Sequence, residues 1–134
     1  MTNQQASPGE LDVLFVEDSE QAIDGLLRAA LVPIIGFTRD GRMVTKPPFL
    51  KLPDISRILA ALLARQAMIR LKLAGAKLEA TPDQLENECG VSLKSCREHL
   101  SRLKARRMLD KNDAGYFVPT WAIADVCQTV GKNS

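Results

Sequence analysis

Between Asp54 and Ala74 the apolar positions recur at helical spacing. Ile55, Ile58, Leu59, Leu62, Ile69 and Leu73 form one stripe, and Ala60, Ala61, Ala64, Ala67 and Leu71 fill much of the remaining circumference. Pro53-Asp54 reads as a start and Gly75 as a stop, which predicts a helix of about twenty residues, roughly 30 Å long. A surface helix shows a clear polar half, whereas here only Arg57, Arg65, Gln66, Arg70 and Lys72 interrupt. Two arrangements would cover such a helix. Either the N-terminal segment and the last helix wrap it within one chain, or one face pairs with a second subunit in a homodimer through residues 55–74.

The flanking patterns are shorter. Glu20 to Leu31 is amphipathic, with Ile23, Leu26, Leu27 and Ala30 on one side. Ile34 to Thr38 and Met43 to Thr45 read as a β-hairpin around Arg39-Asp40-Gly41-Arg42, Asp-Gly being a strong turn signal. Pro47-Pro48 then breaks the pattern. At the far end Thr120 is placed to cap a helix through Val130, closed by Gly131, with Trp121, Ala124, Cys127 and Val130 near one side. That helix is too short to stand alone, so it must dock on its own long helix or on a partner's. Residues 1–10 are polar and cannot bury enough surface to order themselves. The expected organisation is a tail over 1–10, a helix and hairpin extension over 11–52, and a domain over 53–134.

Residues 81–118 carry the most specific pattern. Thr81-Pro82-Asp83-Gln84 is an N-cap, a proline at the first helical position and a capping-box glutamine. The helix runs through Leu85 to Cys89 and stops at Gly90, which enters a left-handed turn without strain. Val91 can enter the core and Ser92 caps a second helix, Leu93 to Met108. Gly90-Val91-Ser92, followed by Cys96, His99-Leu100, Leu103 and Met108-Leu109, resembles the recognition-helix region of winged-helix transcription regulators of the MarR, ArsR and GntR kinds. The resemblance covers about 40 of the 134 residues. It implies a mainly α fold with short β-hairpins (α+β), a winged helix-turn-helix with an N-terminal extension. It also implies that Asp110 to Val118 is the wing, with Asn112 to Gly115 as its turn. Those families often carry glycine just before the apolar pair, where this chain has Arg107, and a basic or small polar residue where it has Glu98.

The second helix holds the candidate chemistry. At about 100° per residue Leu93, Cys96, Leu100 and Leu103 share the core stripe. Lys94, Ser95, Glu98, Ser101, Arg102 and Arg106 lie opposite, with Arg97 on the shoulder. Between Ser92 and Asn112 seven Lys or Arg stand against two acids, a local charge of +5. The major groove admits a helix and presents guanine O6 and N7 to Arg and Lys. Phosphate neutralisation would supply affinity and base edges selectivity. On this reading Lys94, Ser95, Arg97, Glu98, Ser101 and Arg102 approach bases and backbone, while Arg106, Arg107 and Lys111 hold phosphates. Basic side chains near a helix C-terminus also favour the macrodipole, which accounts for Arg106 and Arg107 without a partner. Lys94 and Arg97 sit in the first turns, where the dipole opposes them.

Charge is distributed unevenly. The net +2 divides into −3 for residues 1–50 and +5 for residues 51–134, which places a nucleic-acid face in the C-terminal part. No apolar run reaches the 18–20 residues or so needed to span a bilayer, and Met1 to Glu10 is too polar for a secretory signal. A soluble, cytoplasmic protein is expected. Cys89, Cys96 and Cys127 show no C-x-x-C spacing, and His99 is the single histidine. No zinc set, nucleophile–base pair or phosphate-cradling loop emerges, so neither a cofactor nor an enzyme is expected. Few aromatics are present and none are grouped, which favours double-stranded DNA over single strands or RNA.

Leu11 to Asp18 invites comparison with the first strand and acidic pair of receiver domains. A receiver needs a later aspartate and lysine across more residues than precede Pro53, so the comparison fails. Glu17, Asp18, Glu20 and Asp24 read as a solvated acidic face. The function expected is sequence-specific double-stranded DNA binding, as a transcriptional regulator or a replication or partition accessory protein. The alternative is a winged-helix module that docks its basic helix on an acidic protein surface.

Overall fold

The computed structural model describes residues 20–133. The polar tail over 1–10, the segment Leu11 to Asp18 and the acids Glu17 and Asp18 lie outside them. Among the described residues, five α-helices and two small antiparallel hairpins form a mainly helical α+β arrangement. In chain order these are α1 (Glu20–Leu31), β1 (Ile35–Phe37), β2 (Met43–Thr45), α2 (Asp54–Arg70), α3 (Pro82–Cys89), α4 (Leu93–Ala105), β3 (Asp110–Asn112), β4 (Gly115–Phe117) and α5 (Ile123–Asn133), with 3-10 turns at Pro47–Lys51 and Thr120–Ala122.

The nearly all-round apolar pattern of α2 has a direct counterpart. Every side chain from Ile58 to Ala64 is fully buried, and the helix packs against α1, α3 and α5 of the same chain. Of the two arrangements, the stretch from Ile58 to Ala64 shows cover from within the chain, by α1, α3 and α5. Only near the C-terminal end do Ile69 and Leu71 reach solvent. The helix stops at Arg70 rather than running to Gly75. Lys72 takes a left-handed φ of 57°, and its N–H bonds the Ile69 carbonyl while Leu73 N–H bonds that of Met68. Those two bonds are a Schellman stop.

Cations on α2 are used within the fold. Arg70 pairs with Glu20 and Asp24 of α1, so two of the four acids read as a solvated face, both still largely exposed, also link α1 to the end of α2. Arg57 pairs with Asp54 at 2.6 Å and donates to the Cys89 carbonyl at 2.9 Å. Arg65 pairs with Glu88 of α3 and donates to the Glu79 carbonyl at 3.2 Å.

The first hairpin pairs Ile35 with Thr45 and Phe37 with Met43, and turns through Gly41 at φ 88°. Phe49, on the following 3-10 turn, is fully buried and seats that turn on the core. At the far end Thr120 opens a 3-10 turn instead of capping an α-helix, and α5 continues through Gly131 to Asn133. The change of pitch alters the phase. Ala122, Ile123, Val126, Cys127 and Val130 are buried, and Trp121 points outward.

Candidate nucleic-acid interface

Local sequence sets the approach to α4. Thr81 accepts from Gln84 N–H at 3.3 Å and its own N–H donates to the Gln84 side chain at 2.9 Å, completing the capping box of α3. Gly90 closes that helix at φ 71° and Val91 is buried. Ser92 caps α4 by accepting from Ser95 N–H at 3.2 Å. Glu86, one turn before the end of α3, accepts from Leu93 N–H at 3.1 Å, placing a carboxylate at the positive end of α4.

Cys96, Leu100 and Leu103 bury one side of α4. Lys94, Arg97, Glu98, Ser101, Arg102, Arg106 and Arg107 are exposed, as is Lys111 on the following hairpin. Ser95 is half-buried on the shoulder, so it does not share the outward face with Lys94 and Glu98. Lys104 is also exposed and was not among the expected contacts, because the wheel sets it beside Leu93 and the core stripe. None of Lys94, Arg97, Arg102, Lys104 and Arg106 pairs with an acid among the described residues. All three arginines of α2 do.

The helix expected to reach Met108 ends at Ala105. Arg107 N–H bonds the Lys104 carbonyl and Met108 N–H that of Leu103, both at 3.0 Å, a second Schellman stop. Arg107 occupies its left-handed position at φ 65°, where a side chain costs about 1–2 kcal/mol. Glycine, common there in the regulators this region resembles, would carry no such cost. The Arg107 guanidinium lies 5.6 Å from the centre of the Trp121 ring, a contact worth about 0.5–1 kcal/mol at an exposed site.

The second hairpin pairs Asp110 with Phe117 and Asn112 with Gly115. Ala80, just before α3, bridges Tyr116 through two backbone bonds of 2.9 Å. Gly115 makes that approach possible, since a Cβ there would sit 2.5 Å from the Ala80 carbonyl oxygen. Asn112 accepts from Ala114 N–H and donates to Glu79, both at 2.8 Å, which fixes the turn. The Lys111 ammonium lies 5.2 Å from the Tyr116 ring centre. A cleft of about 350 Å³ separates this hairpin from α4, with Arg97, Lys111, Tyr116, Thr81 and Pro82 on its walls.

The remaining chemistry is inward. All three cysteines are buried thiols. Burial pushes Cys89 up to about 12, helped by the neighbouring Glu88 carboxylate, and Cys127 up to about 11. His99 has a buried Nδ1 without a partner. Among the described residues no group of three or more His, Cys, Asp or Glu could hold a metal ion, and no helix is long and apolar enough to cross a membrane. No family model, curated protein or solved structure matches the chain.

Proposed function

We propose that this protein is a sequence-specific double-stranded DNA-binding protein of the winged helix-turn-helix kind, acting as a transcriptional regulator. In it α3 and α4 are the helix-turn-helix, Ala80 with β3 and β4 the small sheet, and residues 110–118 the wing. One observation carries the reading. α4 is buried along one side and presents cations without acidic partners on the other, in a chain that pairs every arginine of its longest helix. Such a surface suits an anionic partner. Lys94, Glu98, Ser101 and Arg102 face the bases, with Arg97 and Lys104 on the flanks. Arg106, Arg107 and Lys111 lie beyond the helix, toward the backbone.

The alternative, docking on an acidic protein surface, draws support from the wing. Lys111 is flanked there by Asp110 and Asp113, both exposed, so the wing itself is not basic. Fluorescence anisotropy with random duplex at two salt concentrations separates the readings. DNA binding predicts steep weakening with salt and loss of binding in a Lys94, Arg97 and Arg102 triple alanine variant. A triple variant that binds as the parent does, or a parent that binds no duplex at low salt, would sink the DNA reading.

A further inference from the structure

Trp121 is the chain's single tryptophan and is 57% exposed. The backbone beneath it is anchored: Pro119 and Ala122 are buried, Ala122 N–H bonds the Pro119 carbonyl at 2.9 Å, and Ile123 enters the core. The indole is therefore held outward by a fixed turn. Arg107 covers it from the end of α4, in a left-handed conformation that its contact with the indole does not by itself repay. The stop itself needs no side chain at this position, so the guanidinium is free for a use beyond this pair.

The neighbours indicate what that use is. Arg106 precedes it, and Lys104 and Arg102 stand on the last turn of α4, all exposed. The indole adds an N–H donor with no partner among the described residues and an apolar face suited to a sugar ring. Lys111 and Arg97, the latter in the first half of α4, share the cleft beside the second hairpin. A helix of 13 residues is about 20 Å long, against a major groove about 12 Å wide. Cations spaced along a helix of that length reach the phosphates of both walls of the groove.

We propose that Arg107 and Trp121 form a second backbone clamp, beyond the C-terminal end of α4. Arg107 meets a phosphate, and the indole lies against the adjoining deoxyribose with its N–H toward a phosphate oxygen. The proposal rests on the DNA-binding reading above and adds a contact outside the helix and wing.

The single tryptophan makes the test direct. The full-length chain is titrated with a fluorescein-labelled random duplex, and binding is followed by anisotropy while Trp121 emission and its quenching by acrylamide are recorded. The expected result is emission that changes along the same isotherm, with acrylamide access reduced in the complex. Trp121→Ala and Arg107→Gly should each weaken binding by about fivefold, and Arg107→Gly should lower the salt slope by about 1. Arg107→Gly keeps the left-handed stop, so its loss reports the side chain; urea unfolding of both variants confirms that they fold. If both bind as the parent and emission does not respond, while the triple variant on α4 loses binding, the clamp is wrong and the DNA reading stands. If the parent binds no duplex, both fall together.

Discussion

The buried amide of Gln66, in the C-terminal third of α2, donates to the Val118 carbonyl at 2.6 Å across 52 residues of sequence. That bond ties the longest helix to the strand leaving the second hairpin. Gln66→Leu would leave the carbonyl unpaired in the core, at a cost of about 1–3 kcal/mol. Gln66→Glu would set an acceptor against an acceptor and cost more. Urea unfolding monitored by circular dichroism should show the midpoint falling in that order, glutamine above leucine above glutamate.

Gly115 controls the attachment of the second hairpin. A methyl group there would press on the Ala80 carbonyl and would also have to adopt φ 139°. Gly115→Ala should destabilise by about 2 kcal/mol or more. Because the bridge between Ala80 and Tyr116 is what yields, duplex affinity should fall even at temperatures where the variant is fully folded, which parallel melting and anisotropy measurements would show.

Lys72 repeats the backbone strain of Arg107 without any ring contact. Lys72→Gly relieves the left-handed strain and concedes some unfolded-chain entropy, so a net gain of about 0.5–1 kcal/mol is expected. Thermal unfolding should shift upward by a few degrees, with no change in DNA binding. An unchanged or lowered melting temperature would show that the Lys72 side chain does more than the backbone requires.

Glu98 is the acid on the outward face of α4. Beside phosphates it opposes binding by roughly 1 kcal/mol, so Glu98→Gln should tighten binding to random duplex about fivefold. If Glu98 instead reads cytosine N4, a preferred sequence will lose affinity in this variant while random duplex gains it. Titrations against both DNAs decide between the two.

The thiols set an alkaline limit. Cys89 and Cys127 ionise near 12 and 11 in the fold against an ordinary 9.0. Their raised values mean that the unfolded chain releases these protons first as pH rises. The stability they contribute is complete below about pH 9 and is lost as pH climbs through their folded values. Denaturant midpoints should be flat in this respect up to pH 9 and decline beyond it, and thiol reagents at pH 8 should modify the native chain far more slowly than the unfolded one.

Local rules made much of this fold readable before any coordinates. The bounds of α1, the Asp40-Gly41 turn, the capping box of α3 and its glycine stop all depend on residues within one turn of each other. The apolar circumference of α2 likewise announced burial, but periodicity cannot say what covers a helix, and α1 and α5 proved to do so. The partners of Arg65, Gln66 and Arg70 lie far off in sequence, and no spacing encodes them. Trp121 was misplaced because three residues of 3-10 pitch shift the phase of a helical wheel. The early end of α4 escaped notice because its left-handed residue is Arg107 rather than glycine. Of the candidate contacts, the exposed cations followed from the wheel; Ser95 fell on the shoulder, and Lys104 was hidden by its nearness to the core stripe.

The side chains of α2 that grip Cys89, Glu79, Glu88 and Val118 have a genetic consequence. A lesion on this helix would loosen both α3 and the second hairpin and, on the proposed function, so lower DNA affinity from a distance. A screen for variants that lose the proposed DNA binding would then recover changes at Arg57, Arg65 or Gln66 beside those on α4. Raising expression would rescue the first group by mass action more readily than the second.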